Sequence, residues 1–125
     1  MSADLRILMT SSEMAPFAQT GGLGDVLASL PATLQRLGAM VHVVLPAYRT
    51  IDWEAAGAQP SGAVEVRVGG GRREVNLRTA HRAGVAVTFV EADDYFGRDH
   101  LYGGPYGDYP DNAERFAFFS RAVLA

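Results

Sequence analysis

Residues 19–38 read "QTGGLGDVLASLPATLQRLG", three glycines in four positions (Gly21, Gly22, Gly24) running into an apolar, helix-like stretch. Upstream lies "LRILMTS", residues 5–11, short, apolar and bounded by polar residues, as a buried strand of an α/β sheet is. Downstream, "MVHVVLP" supplies a second strand that ends at Pro46. Between them Val26, Leu27, Leu30, Leu34 and Leu37 recur at helical spacing, which predicts a mostly buried helix with Gly38 as its C-terminal stop. Pro31 falls inside that helix, and its missing N–H predicts a kink or a loosened turn. A strand, a helix and a strand in this span make a βαβ unit, with parallel strands and a right-handed crossover.

The middle of the chain changes period. "AVEVRVGGGRREVNLRTAHRAGVAVTFVEA" alternates apolar and polar residues around Gly69, Gly70 and Gly71, which predicts an inserted hairpin followed by a strand from Val85 to Val90. Residues 92–111 carry five aromatics among glycines and prolines with no periodicity, a loop of the length usually kept for function or left disordered. The last stretch opens with Asp111 as N-cap and Glu114 in capping-box position, then continues as an amphipathic helix.

Composition narrows the function classes. The 125 residues are 48% hydrophobic, enough for one domain with a core. No run approaches the roughly eighteen apolar residues of a membrane span, and the start lacks the pattern of a secretory signal; a protein with no membrane partner, located in the cytoplasm, is expected. There is no cysteine, and His42, His81 and His100 show no ligand spacing, so no metal site is expected. A net charge of −3 with scattered arginines argues against nucleic acid as a partner. All eleven basic residues are arginine, so no ammonium is available for chemistry.

A glycine-rich turn between a buried strand and a helix turns backbone N–H groups and the positive helix end toward an anion, usually a phosphate. It is not a P-loop, because no Lys followed by Ser or Thr closes it. The dinucleotide fingerprint fails too. Gly22 and Gly24 give its first two glycines, but Leu27 stands at the third, and no acid lies between Val26 and Ile51 to hold a ribose. No cofactor is therefore expected. Taken alone, the cluster reads better as a tight turn that lets helix and strand pack.

The segments "SSEMAPFAQTGGLGDVLASLPATLQRLG" and "VHVVLPAY" closely resemble the N-terminus of bacterial glycogen synthases and plant starch synthases. "LYGGPYGDYPDNAERFAFFSRAVLA" is similar to a later segment of the same family, with its aromatic-rich loop, Asp-Asn pair and Arg-Phe. The resemblance implies a Rossmann-like N-terminal domain of a GT-B glycosyltransferase, in which two such domains face each other across a cleft. It implies transfer of glucose from ADP-glucose, or sometimes UDP-glucose, to the 4-hydroxyl at the non-reducing end of an α-1,4-glucan, with retention and without a metal.

Carried over by residue, the resemblance places Gly21, Gly22 and Gly24 against the diphosphate of the nucleotide sugar, where N–H groups favour the charge that develops on the leaving group. Asp25 matches an acid near the transferred glucose; complementing the helix dipole is an equal alternative. Glu13 resembles a cleft acid on the acceptor side, against a solvated loop charge. Tyr106 matches an aromatic that stacks on a sugar face, against a loop anchor packed on the domain. For Asp111, helix capping stands ahead of acceptor binding. Gln19 stands where most relatives have lysine, and glutamine donates a hydrogen bond without neutralising phosphate charge.

The resemblance also implies a missing partner. The family's second, C-terminal donor-binding domain has no counterpart in residues 1–125, so a partial N-terminal, acceptor-side domain is expected, inactive by itself. A non-catalytic glucan-binding or regulatory module of the same fold is the competing reading, and a generic nucleotide-binding Rossmann module the third.

Overall fold

The computed structural model describes residues 5–125. Its elements are β1 (Arg6–Thr10), α1 (Gly22–Arg36), β2 (Met40–Pro46), α2 (Trp53–Ala56), β3 (Gln59–Val68), β4 (Gly71–Arg82), β5 (Val85–Val90), α3 (Asp93–Phe96), β6 (Gly103–Gly104), β7 (Gly107–Asp108) and α4 (Asn112–Leu124). The five long strands form one sheet in the order β1-β2-β5-β4-β3. β1, β2 and β5 are parallel, while β4 and β3 add an antiparallel hairpin at the far edge.

The apolar runs of β2 and β5 became parallel strands buried on the helix-covered side, whereas β1, expected to be a buried strand, lies at the edge of the sheet with no buried residue and Leu8 57% exposed. Val43, Leu45, Val85, Val87 and Phe89 are fully enclosed, and the rings of Phe17 and Trp53 meet Phe89 edge-on. The hairpin turns at Gly69 and Gly70, with Gly69 at φ 59, where a glycine avoids the strain a side chain would meet.

Helix α1 stops as its sequence implies. Gly38 takes φ 105 just past the cap residue Leu37, its N–H bonds the carbonyl of Gln35, and the N–H of Ala39 reaches Leu34, the paired bonds of a Schellman motif. Pro31 lies within the run without interrupting it.

Two further expectations are corrected. The helix is not mostly buried: Gly24, Leu27, Pro31 and Ala32 face the sheet, whereas Val26, Leu30 and Leu37 are exposed. Apolar residues at helical spacing show that a stripe exists, and only a narrow part of this one meets the sheet. Residues 92–111 are not structureless either, since they hold α3 and the small β6–β7 hairpin. What orders them is a buried arginine. Arg115 on α4 is 0% exposed, donates to the carbonyls of Tyr95 and Leu101, and lies among the rings of Phe96, Tyr109 and Phe116. The segment borrows its backbone hydrogen bonds from a side chain outside it, which no local periodicity reveals.

Candidate functional site

The segment after β1 descends into the molecule and returns as the glycine loop. Met14 and Ala18 bridge each other, and the N–H of Ala15 bonds the carbonyl of Gly24 at 3.0 Å, so the first turn of α1 is pinned above the C-terminal end of β1. Ligands of α/β sheets collect at that end.

Gly21 is the N-cap residue and offers no capping side chain, so the first N–H groups of α1 keep their donors open. A Cβ built on Gly21 or Gly22 would meet no protein atom within 4 Å. The fold itself therefore does not demand glycine at these two positions; their bareness leaves the approach to the helix end clear. At Gly24 the protein does demand it, because a Cβ would stand 2.6 Å from Cγ of Gln19.

Gln19 folds across this turn. Its Nε2 donates to the Gly21 carbonyl at 3.1 Å and to Oδ1 of Asp25 at 2.8 Å. Asp25 sits exposed in the first helical turn, where a carboxylate also complements the dipole.

Beneath the loop lies Glu13, and the solvated-charge alternative is overturned: the residue is 4% exposed. Oε1 accepts from the N–H groups of Thr20 (2.8 Å) and Gly21 (3.2 Å). Oε2 accepts from the Thr20 hydroxyl (2.9 Å) and the Tyr102 hydroxyl (2.6 Å). Burial raises the pKa of this carboxyl, but the Thr20 N–H, Tyr102, the Thr20 hydroxyl and the Gly21 N–H together outweigh it and hold the group below its ordinary range. Burial first, then the bond to Glu13, pushes the Tyr102 phenol up to about 12. Tyr102 also meets the Ser12 hydroxyl at 2.6 Å, and Tyr48 donates to the Ser12 carbonyl at 2.8 Å.

A cavity of about 560 Å³ opens beside the loop, bounded by Gln19 and Thr20 on one side and by Asp99, Tyr102 and Gly104 on the other. Polar edges and a ring in its wall suit a hydroxyl-rich ligand.

The remaining candidates fall elsewhere. Tyr106 is fully exposed at the tip of the β6–β7 hairpin, so it is no anchor packed on the domain, and it does not line the cavity. Asp111 does not cap α4 with its side chain. Arg98 takes both carboxylate oxygens instead, at 2.7 and 2.6 Å, and holds the carboxyl below its usual range. Glu114 likewise accepts from the Tyr95 hydroxyl at 3.0 Å instead of closing a capping box. Sequence reasoning passed over Tyr102, Ser12 and Arg98, since nothing local separates Tyr102 from four neighbouring aromatics in the same loop. Among the described residues, no cluster of His, Cys, Asp and Glu is placed to hold a metal, and no helix is long and apolar enough to cross a membrane.

Residues 6–125 match a family model described as the starch synthase catalytic domain. Glycogen synthase 2 of Geobacter sulfurreducens is 47% identical over 121 residues, covering 96% of this chain and 25% of that protein. Glycogen synthase of Syntrophotalea carbinolica is 47% identical over 122 residues, covering 97% and 25%. Among solved structures, the catalytic domain of starch synthase IV from Arabidopsis thaliana, bound to ADP and acarbose, superposes with a TM-score of 0.85 at 32% identity, over 96% of this chain and 24% of that one. The chain thus spans about a quarter of the length of the relatives it matches.

Proposed function

The chain belongs to the starch synthase catalytic-domain family, and from that membership we propose that it supplies the acceptor side and the glycine loop of a GT-B glucosyltransferase that extends an α-1,4-glucan from ADP-glucose with retention. In this reading the bond from glucose C1 to the diphosphate breaks, C1 bonds the 4-hydroxyl oxygen of the glucan end, and the hydroxyl proton leaves with the released diphosphate. The diphosphate gathers charge as it leaves, and the N–H groups at the start of α1 meet that charge without having to reorganise.

Gly21 and Gly22 let the diphosphate approach the backbone, and Gly24 serves it by letting Gln19 lie across the turn. Asp25 orients the transferred glucose, and Gln19 offers the diphosphate its amide once ligand competes for the bond to Asp25. The glucan lies in the cavity beside Tyr102, with Tyr106 free to stack on a sugar face beyond it. Asp111 serves the acceptor only through Arg98 and the loop which that pair holds.

One observation carries the reading: the uncapped, uncovered N-terminus of α1 adjoins a polar cavity large enough for sugar rings. Because the chain spans a quarter of its relatives' length, most donor contacts belong to polypeptide outside residues 1–125, and the chain by itself is expected to transfer no glucose. It should bind maltoheptaose weakly. A few exposed hydrogen bonds of about 1 kcal/mol each and one stacked ring correspond to a dissociation constant near the millimolar range.

An amide chemical-shift titration tests this. Maltoheptaose should move Gly103, Gly104 and their neighbours, and Tyr106→Ala should weaken binding without loss of fold. No response to the glucan in the folded chain would contradict the reading.

A further inference from the structure

Glu13 spends its whole accepting capacity inside the protein. An ionised carboxylate offers about four lone-pair sites, and the N–H groups of Thr20 and Gly21 with the hydroxyls of Thr20 and Tyr102 occupy them. No site remains for a sugar hydroxyl. The two oxygens also divide the work, Oε1 holding only glycine-loop backbone and Oε2 joining that loop to Tyr102 in the wall of the cavity.

Two consequences follow from this arrangement. The N–H groups of Thr20 and Gly21 are consumed, so an anion at the helix end finds its first open donor at Gly22. And Tyr102, whose single proton goes to Glu13 while it accepts from Ser12, cannot shift without disturbing the carboxylate that fixes Thr20. We propose that Glu13 is a positioning residue which sets the register of the anion on the glycine loop and couples that loop to Tyr102 in the adjoining cavity. Occupancy at the Tyr102 wall of the cavity is then carried to the glycine loop through Glu13, in addition to any direct contact with Gln19 and Thr20 at the opposite wall. The cavity's glucan rests on the function proposed above; the coupling itself does not.

Tyr102→Phe is the informative variant, because it removes the hydroxyl and keeps the ring that packs on Phe116. Without any ligand, it should move the amide signals of Thr20 and Gly21, although residue 102 is far from both in sequence. Glu13→Gln should move the same two amides toward weaker hydrogen-bonded shifts, because a neutral amide oxygen accepts less strongly than a carboxylate. With maltoheptaose, the unaltered chain should show shifts both at Gly103–Gly104 and at Gly21–Gly24, whereas Tyr102→Phe should keep the first set and diminish the second. An undiminished second set in Tyr102→Phe overturns the proposal. If the glucan moves no signal in any form, the glucan reading fails, and the ligand-free comparison decides the coupling: unmoved Thr20 and Gly21 signals in Tyr102→Phe overturn it, moved ones sustain it.

Discussion

At the scale of single residues, the site is governed by how a few polar groups are spent. Gln19 bonds Asp25 and the Gly21 carbonyl, so it holds the turn closed but brings no charge to a diphosphate. Placed in a complete glycogen synthase, where the remaining donor contacts are present, Gln19→Lys should tighten ADP-glucose binding by up to about tenfold, the difference between a charge-assisted and a neutral hydrogen bond, read by calorimetry on both forms; equal dissociation constants would mean that another cation already serves. Glu13 gives a pH dependence with a definite sign. Its folded pKa lies below the ordinary value of 4.5, so its contribution to stability is complete above that value and is lost as pH falls through the lowered one. Urea unfolding at pH 6 and pH 3 should show a larger loss for the native chain than for Glu13→Gln, and equal losses would remove the carboxylate from the account. The positions of the glycine loop and of Glu13 just after β1 were legible in the sequence because a strand, a turn and a helix N-terminus are local features; the burial of Glu13 and its bonds to Thr20, Gly21 and Tyr102 were not. Tyr102 was not, since its role depends on a contact 89 residues away in the chain.

At the scale of elements, the strand positions were legible and the burial of α1 was not. β2 and β5 fall on Met40–Pro46 and Val85–Val90 as their apolar runs imply, and the two-glycine turn puts the hairpin in place. For α1, periodicity groups Leu27 with Val26 and Leu30, yet only Leu27 points into the sheet. Leu27→Ala should therefore cost about 2–5 kcal/mol of stability, the range of a buried leucine truncation, while Leu30→Ala should cost under about 1 kcal/mol. Denaturant midpoints for the two variants check this, and equal costs would place the helix in a different rotation. The loop from residue 92 to 111 was illegible for a further reason: Arg115 and the Arg98–Asp111 pair organise it from outside or across it. Arg115→Leu would leave the Tyr95 and Leu101 carbonyls without their donor, at about 1–3 kcal/mol each, and should loosen α3 and the β6–β7 hairpin before the sheet, as amide exchange would show.

At the scale of the whole molecule, five strands and one pinned glycine loop make a rigid shelf at the C-terminal end of the parallel sheet, with the cavity at its side. The family and the Rossmann-like α/β fold class follow from the match over residues 6–125 and from the superposition on starch synthase IV. On the function proposed above this shelf works as the acceptor side of a glucosyltransferase, and glucose transfer itself is the measurement that tests it. Residues 6–125 would replace their counterpart in the glycogen synthase 2 of Geobacter sulfurreducens, which is 47% identical over 121 residues, and labelled glucose would be followed from ADP-glucose into glycogen. The chimera should incorporate label while residues 1–125 alone incorporate none; a folded chimera that leaves glycogen unlabelled would contradict the account.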